Sequence, residues 1–358
     1  MATTALRIGA LAPLSRPGWI EAGEHLLAGI ELAVLDVNAS GGLDGRPIEL
    51  LVRDTAADPA KAAGFVEELA GIGVAGLVGE YHSVAARAAA SSAAALGLPF
   101  LCSSAVLDAP TEEPTDWVAR LAPVQSRGWR RYGDFLCAAG HTRVAVAVEP
   151  SPYWAAGTAI LREHLGLRGG TVLELDARPL DLAGIHDALL EETATVLLLL
   201  VGNPEPAVSI VRSLRADRRL HDVLIGAPAG QPELPAWTAA LGAAGAAIPF
   251  LRYRPQRLTP LGGRVEVALR ERLGTAPSFV ALEGYDSTVV LAEFLRSQSA
   301  DPVDPGQGWA RLRVEGCRAE ISFSRTPGVS VWQWVWPPIH VVDRDPADPD
   351  RFRVLYSP

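Results

Sequence analysis

The chain is poor in cysteine, holding only Cys102, Cys137 and Cys317, and Lys61 is its only lysine. Three cysteines without metal-ligand spacing allow at most one disulfide, and buried free thiols are the simpler expectation. There is no cationic surplus: 32 Lys and Arg stand against 41 Asp and Glu, for a net charge of −9 and a pI near 5.4. With nothing to neutralise a run of phosphates, a nucleic-acid partner is excluded. The near-exclusive use of arginine reads as the codon bias of a GC-rich genome rather than as mechanism. No apolar run approaches the roughly 20 residues of a membrane span, so no membrane insertion is expected. The opening stretch, Met1-Ala-Thr-Thr-Ala-Leu-Arg-Ile-Gly, carries no basic start, apolar h-region or cleavage site. Two expectations for localisation follow. One is extracytoplasmic, as a periplasmic protein or cell-surface lipoprotein whose export signal has been removed; the other is cytoplasmic, with Met1 as the native start.

Catalytic signatures are also missing. No Gly-x-Ser-x-Gly elbow occurs, and the adjacent His82 and Ser83 cannot form a triad. Cys102 reads as a buried strand-end thiol rather than a nucleophile. No Gly-x-Gly-x-x-Gly follows the first strand and no Walker loop is present, which removes dinucleotide and nucleotide cofactors. The histidines lack paired metal spacing; His25, His164 and His186 fall on predicted helices and are expected at the surface. Residues 343–350 lack the spacing of a calcium loop and read as a solvated turn. The expectation is no catalytic residue, no metal and no cofactor: not an enzyme.

What the chain does have is length, apolar content and alternation. Its 358 residues, 49% hydrophobic and 20% charged, describe a globular protein with more than one core. The stretch Gly76-Leu-Val-Gly-Glu-Tyr-His-Ser-Val-Ala-Ala-Arg87, followed by Leu98-Pro-Phe-Leu-Cys-Ser-Ser104, reads as strand, loop, helix, strand, loop. Loops after the carboxyl ends of such strands line the crevice of a doubly wound sheet. Ser83 falls at or near a helix N-cap, where it either caps its helix or meets a ligand. Strict βα alternation runs from Leu6 to Cys102, with Asp58-Pro59 opening one helix as cap and first-turn proline. A second alternating series starts near Gln125 and continues through strands 143–148, 171–175, 195–201 and 223–226. Beyond them come a strand at 246–253, helices at 261–273 and 279–296, a helix near 305–314 and a β-rich tail. In that tail Trp332, Trp334 and Trp336 share one face of a strand, expected to be a packed core face.

Four segments resemble the type I periplasmic solute-binding proteins, the branched-chain amino acid and amide receptors. They are Ile8–Ser15 with Ala28–Glu49, including Asn38-Ala-Ser-Gly-Gly-Leu-Asp-Gly-Arg46; Arg53–Ala62; the stretch through Ser83 to Ser104; and Ala281-Leu-Glu-Gly-Tyr-Asp286. The resemblance implies an α/β fold of two Rossmann-like lobes with parallel sheets, joined by a three-strand hinge. The crossings are expected near 120–124, 251–256 and 325–330. The lobes are then 1–120 plus 254–327 and 121–253 plus 328–358. It implies a receptor that captures a small-molecule ligand in an interlobe cleft and closes on it.

Residue by residue, the family's carboxylate- or amide-binding serine falls on Ser83, with the aromatic of amide-sensing members at Tyr81. The next strand's loop gives Ser103, Ser104 and Ala105. The second lobe's aromatic lid falls on Tyr153, its next cleft loop on Asn203, and Trp19 forms a wall. Amino-acid binders pair the α-ammonium with an acidic residue in a later loop of the second lobe. Here that loop, Gly226-Ala-Pro-Ala-Gly-Gln231, has no carboxylate, and Glu80 and Asp286, the acidic candidates elsewhere, do not match the position. This leans away from a standard amino acid and toward an amide, a carboxylic acid or an aromatic acid. The implied partner is an ABC transporter permease. A cytoplasmic ligand sensor that regulates a partner protein stays open beside it.

Overall fold

The structure, a computed structural model, describes residues 4–178, 180–325 and 328–357. In chain order it begins β1 (Leu6–Ala12), α1 (Ile20–Ala39), β2 (Ile48–Asp54), α2 (Pro59–Ile72), β3 (Leu77–Gly79), α3 (Ser83–Leu96), β4 (Phe100–Cys102) and β5 (Val118–Arg120). The next series is α4 (Gln125–Ala138), β6 (Arg143–Val148), α5 (Pro152–Gly166), β7 (Thr171–Asp176), α6 (Leu182–Glu191), β8 (Val196–Leu200), α7 (Ala207–Ala216), β9 (Leu224–Gly226), α8 (Pro235–Leu241) and β10 (Phe250–Arg252). The chain ends with α9 (Pro260–Leu273), α10 (Phe279–Ala300), α11 (Pro305–Arg311), β11 (Arg313–Glu315), β12 (Glu320–Arg325), β13 (Trp332–Trp334), β14 (His340–Asp345) and β15 (Asp348–Tyr356).

These elements divide into two compact units. One holds residues 1–124 and 254–338, the other 125–253 and 339–358, so the chain passes between them three times. The first unit is built on one sheet of order β11-β12-β13-β5-β4-β3-β1-β2. From β2 to β13 its neighbours run parallel, and β12 and β11 add antiparallel strands at the far edge. Because β13 pairs with both β5 and β12, residues 328–338 stay in this unit, where the second lobe was expected. Residues 121–124 likewise remain with the first unit.

Local signals explain most of these elements. Asp58 accepts from the backbone N–H of Ala60 and Lys61 at the start of α2, a cap that contributes about 1 kcal/mol. β3 and β4 are buried on both faces, as strands covered by helices on each side must be. One face packs on α2 and α3 through Val66, Leu69, Ala86 and Ala90. α1 and α10 meet at near-backbone distance: a Cβ on Gly29 would lie 1.9 Å from the Ala281 carbonyl oxygen, and one on Gly284 2.2 Å from that of Leu26. Nothing larger than glycine permits that approach.

The second unit has a parallel sheet of order β7-β6-β8-β9 and a separate antiparallel sheet of order β10-β14-β15. β8, all Val and Leu, is wholly buried in a core that includes Ile185, Leu189, Ile210, Val211 and Trp237. The hairpin β14–β15 replaces the expected solvated turn: Asp343 is buried and bound by Arg353, so an apparently charged loop is a paired strand.

Other expectations also change. The helix near 305–314 stops at Arg311, and β11 follows it. The three tail tryptophans do not share one environment. Trp334 is 1% exposed and Trp336 75% exposed, because β13 ends at Trp334. His25 is buried and hydrogen-bonded to Ser278 at 2.9 Å rather than surface-facing. All three cysteines are free, with Cys102 and Cys317 buried and Cys137 half-buried.

Candidate functional site

In the first unit the loops after β1, β2, β3 and β4 are tied together at the carboxyl edge of the sheet. Asp54 ends β2, and its Oδ1 accepts from the N–H groups of Leu14, Ser15 and Ala56 at 2.7, 3.2 and 2.9 Å. Burial works against its charge, but these bonds prevail and hold the carboxyl below the usual range. Glu80 follows β3 and is buried. Its Oε2 accepts from Thr55 Oγ1 at 2.6 Å and its Oε1 from the N–H groups of Tyr81 and His82, each at 2.9 Å. Burial nevertheless pushes the Glu80 carboxyl up to about 7. Ahead of it, Gly79 has φ +117°, and a Cβ there would lie 2.0 Å from the Leu11 carbonyl oxygen. Only glycine turns the chain there.

Trp19, Tyr81 and His82 form one aromatic group, with ring centroids 5.9 Å apart for Trp19–Tyr81 and 5.3 Å for Tyr81–His82. His82 Nε2 accepts from the Trp19 N–H at 3.0 Å, so that nitrogen carries no proton, and burial pulls the imidazole down to about 4. Ser83 is not the cap of α3. His82 occupies that position without a side-chain cap, and Ser83, the first helical residue, accepts from the Val106 N–H at 3.2 Å. That bond brings Ser83 against the loop holding Ser103, Ser104 and Ala105.

Ser103, Ser104 and Ala105 are buried. The Ser103 N–H is spent on the Gly79 carbonyl at 2.9 Å, and the Ser104 hydroxyl faces Glu283. Burial pushes Glu283 up to about 7 against the opposing effect of Arg318, which it meets at 2.9 Å. Asp286 accepts from Arg318 Nε at 3.0 Å and from the Cys317 N–H at 2.6 Å. Glu80 and Asp286, the acidic groups considered for an ammonium, are therefore both engaged inside the unit.

In the second unit, Tyr153 lies in the first turn of α5, which Ser151 caps by accepting from the Tyr153 N–H at 3.2 Å. The Tyr153 ring is half-buried, tilted on Trp154 at 4.7 Å and edge-on to Trp129 at 6.1 Å; burial pushes its hydroxyl up to about 12. Asn203 follows β8, and its Oδ1 is buried without a hydrogen-bond partner.

Three residues that the sequence reading passed over join them. Glu149, the first residue after β6, accepts from the Gly202 N–H at 2.7 Å. Gln125 donates to the Tyr153 carbonyl at 2.9 Å, and Gln231 donates to the Leu199 and Val201 carbonyls, each at 3.3 Å. A signal for Glu149 was present: it is the acidic residue standing directly at the end of a buried strand. Among the described residues no group of three or more His, Cys, Asp or Glu could hold a metal ion. Among the described residues no helix is long and apolar enough to cross a membrane.

A family model described as periplasmic binding protein matches residues 5–326. Leu/Ile/Val-binding protein homolog 7 of Brucella melitensis is 35% identical over 123 residues, 34% of this chain and 30% of its own length. The alignment thus spans under a third of the curated relative. Among solved structures, the branched-chain amino acid transporter substrate-binding protein LivJ of Streptococcus pneumoniae, in complex with isoleucine, superposes with a TM-score of 0.81. It is 20% identical over 99% of this chain and 100% of its own. A solute-binding protein of an ABC transporter from R. palustris, in complex with benzoate, gives 0.80 at 17% identity, covering 99% and 96%. Both likenesses carry the fold: a mixed α/β chain with parallel sheets, as in type I periplasmic binding proteins. The family and these neighbours are solute-binding proteins rather than enzymes.

Proposed function

The chain belongs to the periplasmic binding protein family, and from that premise we propose that it is the solute-capturing receptor of an ABC importer, working outside the cytoplasm. Its solute is a small amide, carboxylic acid or amino-acid-like molecule, held by Trp19, Tyr81, Ser83 and Ser103–Ala105 from one lobe and Tyr153 and Asn203 from the other. The lobes close on it by hinge motion and pass it to a permease unaltered. One observation carries this reading: the Ser83–Val106 and Trp19–His82 bonds gather the loops after β1, β3 and β4 at one sheet edge. Strand carboxyl ends are where open α/β sheets bind ligands.

The test is a thermal-shift screen across amino acids, their amides, and aliphatic and aromatic acids, followed by titration of the hits. A ligand at 100 times its Kd stabilises the folded state by about 2.7 kcal/mol. Ser83→Ala combined with Tyr153→Ala is expected to abolish that shift while the unliganded midpoint moves by only a few degrees. Unchanged affinity in the double variant would remove the site assignment. Chemical turnover of a hit would remove the receptor reading itself.

A further inference from the structure

The first strand by which the chain leaves the first unit ends on a buried arginine. Arg120, the last residue of β5, is fully buried, and each strand beside β5 sets a residue against it: Cys102 of β4 on one side, Gln333 of β13 on the other. Its Nε donates to Gln333 Oε1 at 2.9 Å, and its Nη1 donates to the Leu107 carbonyl. Gln333 is buried and used from both ends, since its Nε2 donates to the Ala122 carbonyl at 2.8 Å. The amide orientation follows, because a guanidinium has no acceptor and a carbonyl no donor. Separate stretches of chain meet at this pair. Leu107 closes the loop that carries Ser103, Ser104 and Ala105, and Val106 just before it donates to Ser83. Ala122 lies in 121–124, after which the chain passes to the second unit, and β13 with Gln333 leads to the last passage after Pro338.

Packing alone does not account for a charge at this point. The oxygens that Arg120 meets are neutral, its Nη2 is buried without a hydrogen-bond partner, and burial pulls the guanidinium down to about 10. A buried cation held this way is less favourable than an apolar side chain of the same volume. What it offers instead is a rigid planar fork, which fixes its acceptors in direction as well as in distance. Here one acceptor belongs to the serine loop and the other to Gln333, which extends the hold to Ala122.

We propose that Arg120 and Gln333 are positioning residues for solute capture: they fasten the loop 103–107 to the two strands β5 and β13 through which the chain leaves the first unit, so that loop and strands move as one body. This rests on the receptor reading above and adds to it a pair that touches no solute. A ligand shifts an open–closed equilibrium only through contacts that differ between the two states. A serine loop joined rigidly to the exit strands passes any displacement on to them. With the joint cut, the loop yields by itself and less of the binding energy favours closure.

Two variants cut the tie at different points. Gln333→Glu keeps an oxygen for Arg120 and gives it a counter-charge, but sets a carboxylate against the Ala122 carbonyl, freeing the exit strand while the loop stays held. Arg120→Lys keeps the charge and loses the fork. The full chain carries one spin label in each unit, at Lys61→Cys on α2 and Glu163→Cys on α5, both exposed, with the half-buried Cys137 changed to Ser. Pulsed electron spin resonance reads the distance distribution without solute. Either variant is expected to widen it at least about twofold, and to weaken binding of a thermal-shift hit about 10-fold by lowering the competent fraction. A merely structural role predicts a lower melting temperature with width and affinity unchanged, and that result in either folded variant overturns the proposal. So does a widened distribution in a chain that binds the hit like wild type. If Gln333→Glu folds poorly, Arg120→Lys decides. The width is read without solute, so its failure is distinct from that of the receptor reading, which the lack of any hit in the screen would mark.

Discussion

The two strand-end edges are built from the same kind of loops and are tied by different side chains. In the first unit several polar groups at the edge are held by charged side chains, although Glu283 Oε2, on the carboxyl that Ser104 faces, has no hydrogen-bond partner. Asp54 collects three N–H groups, Glu80 takes a hydroxyl and two more, and Ser83 accepts from Val106. In the second unit the side-chain oxygens of Gln125, Asn203, Gln231 and Thr238 are buried without a hydrogen-bond partner. The first edge is thus tied mainly by the carboxylates of Asp54 and Glu80, the second largely by the amides of Gln125 and Gln231.

That contrast can be broken by substitution, and the largest effect belongs to the first unit. Arg318 is the one cation of a buried group with Glu283 and Asp286. Arg318→Leu should lower stability by about 3–5 kcal/mol, because two carboxyls are left in a dry interior without their partner. Calorimetric or denaturant unfolding reads this directly. A loss under 1 kcal/mol would mean the first unit is not held by its polar interior.

Next comes a pH effect. The Glu80 carboxyl is raised from 4.5 to about 7 in the folded chain. A raised acid binds its proton more tightly when folded, so its contribution is fully present below pH 4.5 and lost as the pH climbs through 7. Glu80→Gln, which has nothing to titrate, should therefore gain on the wild type across that window, reaching about 1–3 kcal/mol at pH 8. His82, pulled from 6.5 to about 4, acts in the other direction: its contribution is present above 6.5 and fades as the pH falls toward 4. Melting temperatures of both chains from pH 4 to 8 separate the two, and a difference that does not vary with pH would contradict the Glu80 account.

The smallest effect is expected in the second unit. Gln231→Leu removes two long hydrogen bonds but also removes a buried oxygen without a donor. Unliganded stability should change by about 1 kcal/mol or less in calorimetric unfolding. If this change unfolds the chain as readily as Arg318→Leu, the contrast between charged and neutral ties at the two edges is wrong.

The first hundred residues were legible because apolar runs, turn residues and caps agree there: Asp58-Pro59 predicts α2 and the structure supplies both capping bonds. The tail was not. Asp343, Arg344 and Asp345 read as a solvated run because their partners are distant: Arg353 pairs with Asp343, and Arg344 bonds the carbonyls of Pro232 and Glu233. His25 looked like a surface residue for the same reason, since Ser278, its partner, lies 253 positions away.

The sequence by itself determined the alternation of strands and helices, the lack of a cationic surplus or of paired metal-ligand spacing, and the loops at which a ligand is to be sought. These follow from local pattern and composition, which need no knowledge of the folded chain. Only the tertiary structure decided which polar groups are spent. Glu80 and Glu149 look alike in sequence, each following a strand. One is enclosed by Thr55 and the N–H groups of Tyr81 and His82, while the other, among the described residues, accepts from Gly202. Hydrogen-bond partners come from residues far apart in the chain, and saturation is a property of the neighbourhood rather than of the residue.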